Sequence, residues 1–590
     1  MDSARDASRR CRLVLATLLA LLAWPAAAEP LRRVRIVGIE GDARDNVQAT
    51  LSLTRLSARQ RAGLSEARLS YLLRRLDDEV DRALQPYGYY ESSVESEVQR
   101  GPRGIEVVLT VTPGEPVRVR ETDLVIEGDA QRDRAVMRRL RTFRPQRGER
   151  LDHRRYEASK LAVQRRLLER GYFDAEMLAH RIEVTRQSRE AVLRLRWQSG
   201  VRYRMGAVRF EGAQVHAGLL RKVVPFEAGE PFHHRHLVAL QQRLTDLDYF
   251  GYIDVRPETD KAEDGVVPIA VALTPGKRSI YTAGLNYGTD AGAGVQLGLE
   301  RRWINARGHK LGVQLDLAER RKSVAALYRI PAFDWAEGWY ALGVNRRDED
   351  SEYVRARISE VVAQRTGSWH GWDLGVALHA RNESYEIGQV DHVVEDGQRR
   401  LVYPALSVGR KHSDHELYPR RGYSVRGEVR LGHGAIGSQS DFAQLLLDGR
   451  WIRSFGPRTR LLLRGNAGRT FSDEFERLPP SLRFYAGGDR SIRGYGYQEV
   501  GPRIEDQVVG GKHLLTGSVE LERMFNRRWG AAVFVDSGDA YDTRDTFRLR
   551  SGVGVGVRWR SPVGLVRVDV AHGLDAERGL QLHINIGPDL

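Results

Sequence analysis

The chain has one cysteine, Cys11, in 590 residues. Cys11 lies ahead of the N-terminal apolar stretch, so it is not placed as a lipoprotein cysteine, and beyond it there is no thiol or disulfide chemistry. After residue 28 no apolar run approaches the roughly 20 residues that a membrane-spanning helix needs. Signatures of catalysis are also missing: no His-Glu-x-x-His, no Gly-x-Ser-x-Gly and no phosphate loop. Gly552, Gly554 and Gly556 imitate a dinucleotide fingerprint but no helix follows them. Asp536-Ser537-Gly538-Asp539 lacks the spacing of a calcium loop. An enzyme is not expected, nor a metal or other cofactor. The formal charge is +15, yet no compact basic cluster stands out, so nucleic acid is not an expected partner.

The N-terminus is informative. Arg9, Arg10 and Arg12 precede a short apolar stretch, Leu13 to Trp24, and Ala26-Ala27-Ala28 precedes Glu29. This pattern predicts a secretory signal peptide over 1–28. An exported chain without spanning helices can still enter a membrane as a closed β-barrel.

Three copies of one pattern occupy residues 31–276. Each opens on a short strand ending in glycine: Val34 to Gly41, Leu124 to Gly128, and Val208 to Gly212. Two helical segments follow. The second ends at an aromatic pair: Gly88-Tyr89-Tyr90, Gly171-Tyr172-Phe173, or Asp248-Tyr249-Phe250. Two alternating strands close each copy on a turn, Pro113-Gly114, Ser199-Gly200 or Pro275-Gly276. In the second copy Asp152 is the expected N-cap. Tyr156, Lys160, Val163 and Leu167, with Leu161 and Leu168 beside them, predict the apolar stripe of the helix that follows. His233-His234-Arg235-His236 reads as a polar helix start, because no further ligand completes a metal site.

From about Ser279 the apolar period becomes two. Sixteen runs begin near residues 280, 292, 309, 322, 338, 351, 369, 398, 422, 441, 458, 512, 528, 549, 563 and 579. Apolar residues on one face and polar ones on the other predict an antiparallel transmembrane barrel. Trp303, Trp335, Trp339, Trp372, Trp451, Trp529 and Trp559 at run ends fit interfacial girdles. The expected architecture is α+β modules over 29–115, 116–201 and 202–277, then an all-β 16-stranded barrel over 278–590.

One insertion, 471–511, breaks the barrel pattern. Its core, Arg483 to Pro502, is rich in glycine and aromatics and carries Ile492-Arg493-Gly494-Tyr495. A loop this long is functional or disordered, and its aromatics argue for order. Strand parity supplies it with partners. Leu515, Gly517, Val519 and Leu521 face outward, so Glu520 faces in; Val533 and Val535 face outward, so Phe534 and Asp536 face in. A loop folded into the lumen would bring Arg493 to both carboxylates, and a guanidinium can bridge them.

Here the sequence resembles a known family. Each β-α-α-β-β copy resembles a POTRA domain. Ile492-Arg493-Gly494-Tyr495, with Gly487-Gly488 ahead and Gly501-Pro502 behind, resembles the sixth-loop motif of the outer membrane protein 85 superfamily. Phe534-Val535-Asp536-Ser537-Gly538 resembles that family's inner-wall motif, and Glu520 matches its second acceptor. Three modules point within the superfamily to the TamA family. The ending Asn585 to Leu590 also resembles that family, and departs from the usual terminal aromatic. The resemblance implies a Gram-negative outer-membrane protein with periplasmic POTRA domains. It implies an insertase for barrel proteins such as autotransporters, partnered by a TamB-like inner-membrane-anchored protein, by unfolded outer-membrane clients and by outer-membrane lipid. It also implies a lateral seam between first and last strands, at Tyr281, Gly284, Leu285, Ile584, Asn585 and Gly587. The alternatives are a two-partner-secretion-type transporter and a passive pore.

Overall fold

The computed structural model describes residues 30–288, 291–333, 337–389, 392–415, 417–561, 564–576 and 579–586. The expected signal peptide and Gly587 lie outside them. By contact density the described chain divides into two compact units, with the division running through the third module.

In the first module β1 (Leu31–Val37), β2 (Ser93–Gly101) and β3 (Gly104–Thr112) form a sheet ordered β1-β3-β2. β1 runs parallel to β3 and β2 antiparallel to it. Two helices were expected here, but four form: α1 (Gly41–Thr50), α2 (Ala58–Ala62), α3 (Glu66–Leu73) and α4 (Leu76–Leu84). Ser57 and Ser65 each cap a helix start, and so break the segment into short pieces.

The second module repeats the sheet with β4 (Arg118–Glu127), β5 (Glu176–Thr185) and β6 (Glu190–Gln198), ordered β4-β6-β5, and two helices, α5 (Arg134–Arg141) and α6 (His153–Glu169). Asp152 caps α6, accepting from the amides of Arg154 and Arg155. Tyr156, Val163 and Leu167 are buried. Leu161 and Leu168, placed beside the stripe by sequence, are instead 55% and 44% exposed. The small Ser159 takes the buried position and accepts a hydrogen bond from the Arg144 amide at 2.9 Å, so the preceding loop lies where a larger side chain would have packed. The third module contains β7 (Arg204–Glu211), α7 (Ala217–Arg221), α8 (His234–Asp246), β8 (Phe250–Pro257) and β9 (Val266–Pro275), with strand order β7-β9-β8.

The aromatic pair after each second helix serves as a joint. Gly88 and Gly171 stop the chain in the left-handed region, at φ of 84° and 86°; Asp248 does the same at 56°. The aromatics then meet the next element. The Tyr90 hydroxyl lies 2.8 Å from His153 Nε2 of the second module. The Phe173 ring sits edge-on to Phe232 and Tyr203 of the third, with centroids 4.8 and 5.5 Å away. The Tyr249 hydroxyl donates to the Gly308 carbonyl in the barrel's first turn at the N-terminal end, at 2.5 Å.

Asp133, the N-cap of α5, yields a pH prediction. It accepts from the amides of Ala135 and Val136 and from Arg170 Nε at 2.8 Å. Burial alone would raise its pKa, but Arg170 and the two amides hold it below the usual carboxylate value. A depressed folded pKa contributes stability above the unfolded value, about 3.9. That stability is lost as pH falls through the folded value. Asp133→Asn keeps a capping oxygen and loses the charge. A three-module fragment carrying it should lose roughly 1–3 kcal/mol at pH 7 and less than that at pH 3. Urea unfolding at the two pH values checks this.

Sixteen strands build the barrel: β10 (Ser279–Gly288), β11 (Gly292–Arg301), β12 (Lys310–Ala318), β13 (Arg321–Ala332), β14 (Glu337–Asp350), β15 (Val354–Trp369), β16 (Trp372–Gln389), β17 (His392–Ser413), β18 (Arg421–Gly432), β19 (Phe442–Phe455), β20 (Thr459–Phe471), then β23 (His513–Met524), β24 (Trp529–Tyr541), β25 (Arg550–Ser561), β26 (Gly564–Gly573) and β27 (Leu580–Ile586). Between β20 and β23 lies the long loop, with a two-residue hairpin of β21 (Arg503–Ile504) and β22 (Gln507–Val508). Each barrel strand is antiparallel to its sequence neighbour in the sheet. The expected strand number is observed. The run placed near 398 begins earlier, at His392, because Glu395 and Asp396 interrupt the apolar alternation there.

The outward faces are apolar, with Leu342, Leu378, Leu406, Val519 and Val555 exposed. Trp451, Trp529 and Trp559 are also exposed, and the last two stack at 5.7 Å. Trp339 departs from the expected girdle. It pairs with Pro331 and Thr366 on the lumenal parity and lies 5.2 Å from Lys310 Nζ, while Tyr340 takes the outward position.

Candidate functional site: the loop clamp and the seam

From Thr516 on β23 and from Gly530 to Gly538 on β24 the buried residues alternate, which turns Thr516, Ser518, Glu520, Glu522, Phe534 and Asp536 into the lumen. The loop between β20 and β23 folds in against them. Ile492, Arg493 and Tyr495 are 0%, 4% and 3% exposed. A second loop arginine anchors the entry: Arg483 makes a bidentate pair with Glu395 of β17 and donates to the carbonyls of Leu478, Glu476 and Val509.

Arg493 is saturated with partners. Its Nε and Nη2 donate to the two oxygens of Asp536 at 2.7 and 3.0 Å, and its own backbone amide donates to Asp536 Oδ2 at 3.0 Å. Nη1 donates to Glu520 at 2.8 Å and to Asp569 at 2.9 Å. The guanidinium carbon lies 3.3 Å from the Phe534 ring centroid, in cation–π contact. Such planar, forked recognition is beyond a lysine. Glycine is required where the loop touches the wall. Gly494, at φ 98°, would place a Cβ 2.5 Å from the Gly573 amide, and a Cβ on Gly552 would lie 1.8 Å from the Arg493 carbonyl. Gly487 and Gly488 turn the loop at φ 96° each, and Gly538 faces Leu515 and Thr516 on the neighbouring strand.

The sequence reading named two carboxylates; the structure adds several residues. Asp569 on β26 is a third acceptor. Arg558 on β25 donates to Glu520 at 2.7 Å and also binds Asp569, so the three carboxylates face Arg493, Arg558 and, at 3.9 Å, Arg464. The Gly494 amide donates to His583 Nε2 at 3.0 Å, and Asn585 donates to Asp489 of the loop at 2.8 Å. The clamp therefore holds the last strand, β27, as well as the wall. Parity would have found Asp569, since Val566, Val568 and Val570 alternate with Arg567, Asp569 and Ala571. Nothing local marks Asp489.

The ion network continues toward the N-terminal end of the barrel. Arg558 Nε lies 3.8 Å from Glu522, and Glu522 pairs with Arg460 at 2.8 Å. Tyr418, from the turn between β17 and β18, donates to Glu522 and stacks between Arg460 and Arg560 at 3.6 and 3.3 Å. Arg460, Glu522 and Arg558 are all at most 1% exposed.

The seam is the other feature. Every barrel strand has a ladder with its neighbour in chain order, but β10 and β27 lie side by side without one among the described residues. On β10, Tyr281 and Leu285 face outward, 77% and 86% exposed. Gly284 faces the lumen, where a Cβ would touch nothing within 4 Å. Ile584 takes the outward parity of β27, and Asn585 the inward one. The His233 cluster shows no ligand geometry: among the described residues no group of three His, Cys, Asp or Glu converges. Burial and the nearby Arg235 push His233 down to about 4.

Comparison with known proteins agrees with this architecture. Residues 304–589 match the Omp85 superfamily domain, 33–113 match "POTRA domain TamA domain 1", and 119–194 match the POTRA family described as a surface antigen variable number repeat. The outer membrane protein assembly factor BamA of Nitratidesulfovibrio vulgaris is 24% identical over 376 residues, covering 60% of this chain and 46% of that protein. BamA of Neisseria meningitidis serogroup B is 19% identical over 573 residues, covering 84% of this chain and 70% of the relative. A third BamA, from Neorickettsia risticii, is 30% identical over 200 residues, 31% of this chain and 26% of its own length. The chain thus spans less than half the length of two of these relatives. The crystal structure of BamA from Haemophilus ducreyi lacking POTRA domains 1-3 superposes with a TM-score of 0.67 at 16% identity, covering 80% of this chain and 99% of that one. The chain is an Omp85 superfamily barrel carried behind POTRA domains.

Proposed function

We propose that this protein is an outer-membrane assembly factor that folds other barrel proteins, autotransporters among them, into the membrane through the seam between β10 and β27. The observation that carries this is that, among the described residues, β10 and β27 share no ladder while the other neighbouring barrel strands are paired. An unpaired edge offers main-chain donors and acceptors to a client strand whatever its side chains. The modules extend the same chemistry: β2 and β5 are open sheet edges, suited to unfolded clients. The match of the first module to a TamA-type domain supports a TamB-like, inner-membrane-anchored partner docking there. The test is reconstitution. Vesicles containing the protein should convert an unfolded autotransporter barrel to its heat-modifiable form about tenfold faster than empty vesicles, a barrier change of about 1.4 kcal/mol. Equal rates would sink the proposal.

A second reading, transport of an exoprotein through the lumen, draws on a different observation. A space of about 620 Å³ remains on the lumenal side of β10 to β16, lined mostly by uncharged residues such as Gln296, Gly312, Gln314 and Asn345, with the Glu300–Arg329 ion pair among them. On that reading a secreted substrate crosses the vesicle membrane, and no client barrel is assembled.

A further inference from the structure

The wall of β14 to β17 is taller than the rest. These strands have 14, 16, 18 and 22 residues, against 7 to 14 elsewhere in the barrel. About 9–11 residues suffice to cross a bilayer, so the loop-end portion of this wall stands beyond the hydrocarbon. The register shows what it presents there. The outward rows containing Leu342 and Leu378, then Val344 and Val361, are apolar. The next row outward is Val324, Arg346, Ser359, Asn382 and Arg400, and the one beyond it is Lys322, Asp348, Arg357, Ser384 and Gln398. One step of two residues, about 7 Å, separates each row from the last.

These two rows have a distinct chemistry. Lys322, Arg346, Arg357 and Arg400 are exposed. Arg357 pairs loosely with Asp348 at 3.5 Å, while the other three have no ion pair among the described residues. On the lower row Ser359 and Asn382 lie between Arg346 and Arg400, whereas on the upper row Asp348 lies between Lys322 and Arg357, with Ser384 and Gln398 beyond them. A depression of about 680 Å³ opens at the upper row, beside Lys322, Arg357, Ser384 and Gln398. The rest of its lining is mixed in charge, with Arg355 bound to Glu386 at 2.6 Å and with Glu319, Asp348, Glu349, Asp350 and Asp396 alongside Arg320 and Arg321. Elsewhere on the loop-end rim Leu431, Leu445, Phe471 and Leu515 are exposed, with Arg469 set outward beside Leu445. The polar rows therefore belong to one wall, at the height where lipid headgroups begin.

Anionic phospholipid would need only the cations. Cations interleaved with amides and hydroxyls fit phosphates carried on a sugar, where the guanidinium takes phosphate oxygens and the neutral groups take ring hydroxyls. We propose that the outer wall of β13 to β17 binds the phosphorylated sugar headgroup of a glycolipid in the leaflet at the loop end. This rests on the barrel lying in a membrane, and not on its acting as an insertase.

The test uses the purified full-length protein and phosphatidylcholine vesicles containing either diphosphoryl lipid A or phosphatidylglycerol at equal charge, with retained lipid counted by native mass spectrometry. Lipid A should be retained over phosphatidylglycerol. In Lys322→Gln/Arg346→Gln/Arg400→Gln, lipid A retention should fall on the order of a hundredfold, about fivefold per cation near an anionic surface. Arg469→Gln, outward on another wall, should retain it fully. Ser359→Ala/Asn382→Ala keeps every charge and should lose lipid A preference alone, which decides the matter should the triple variant fail to fold. Unchanged retention in either multiple variant, or equal retention of the two lipids by the parent, would overturn the proposal.

Discussion

Arg493→Ala should lower the unfolding temperature and the cellular abundance of the barrel more than any other single change in the loop. The side chain is 4% exposed and donates to three carboxylates on three strands, Asp536, Glu520 and Asp569. Its removal leaves three buried carboxylates with only Arg558 and Arg464 for compensation. Breaking one side of a buried ion pair costs roughly 3–5 kcal/mol. The cation–π contact with Phe534 is lost as well. Arg493→Lys should recover little, because an ammonium cannot bond both oxygens of Asp536 while also reaching Glu520. Heat-modifiable electrophoretic mobility gives the readout: the variant should unfold at a temperature well below the parent. Asp536→Asn should do much the same, and the double variant should cost less than the sum of the singles, because each already removes the shared pair. A parent-like unfolding temperature in Arg493→Ala would show that the loop does not support the barrel. Because the same loop holds His583 and Asn585 of β27, the variant should also loosen the last strand, and so change the seam as well as stability.

What the sequence carried, and what it did not, follows from range. Strand parity is a local property, so alternation over β23 and β24 was enough to aim Glu520 and Asp536 inward. The three-module repeat was legible for the same reason, since each Gly-Tyr or Asp-Tyr stop sits at one helix end. The missed features depend on partners distant in the chain. Ser159 replaces leucines on the buried face of α6 because the loop of Arg144 arrives there. Trp339 turns inward because Lys310, far earlier in the chain, waits in the lumen. Asp489 and Tyr418 carry no local signal of the partners they meet, Asn585 for the first and Arg460 and Arg560 for the second. The first module's four helices are a matter of capping: Ser57 and Ser65 interrupt what the repeat pattern counts as two segments.

Locking the seam should abolish assembly outright. Tyr281 and Ile584 both take the outward parity near the N-terminal end of the barrel, on the two strands that no ladder joins among the described residues. The chain's one natural cysteine, Cys11, lies far from both in sequence, so Tyr281→Cys/Ile584→Cys introduces an unambiguous pair. Formation of the cross-link is itself informative, since a disulfide needs Cα atoms about 4.4–6.8 Å apart. In the oxidised protein the rate of client assembly in vesicles should fall to that of empty vesicles, and a reductant should restore it; each single cysteine should behave as the parent. A control isolates the seam from general stiffening. Val295 and Leu317 are directly paired on β11 and β12, and a disulfide there bridges strands that already share a ladder, so it should leave the rate unchanged. The physical basis is the difference between the two sites. Opening β11 from β12 would strip a continuous row of main-chain hydrogen bonds in a medium with no water to replace them, whereas parting β10 from β27 breaks no ladder. A locked protein that assembles clients at the parent's rate would remove the seam from the mechanism and leave the lumen, with Gln296, Gln314 and Asn345 on its inner wall, as the remaining route.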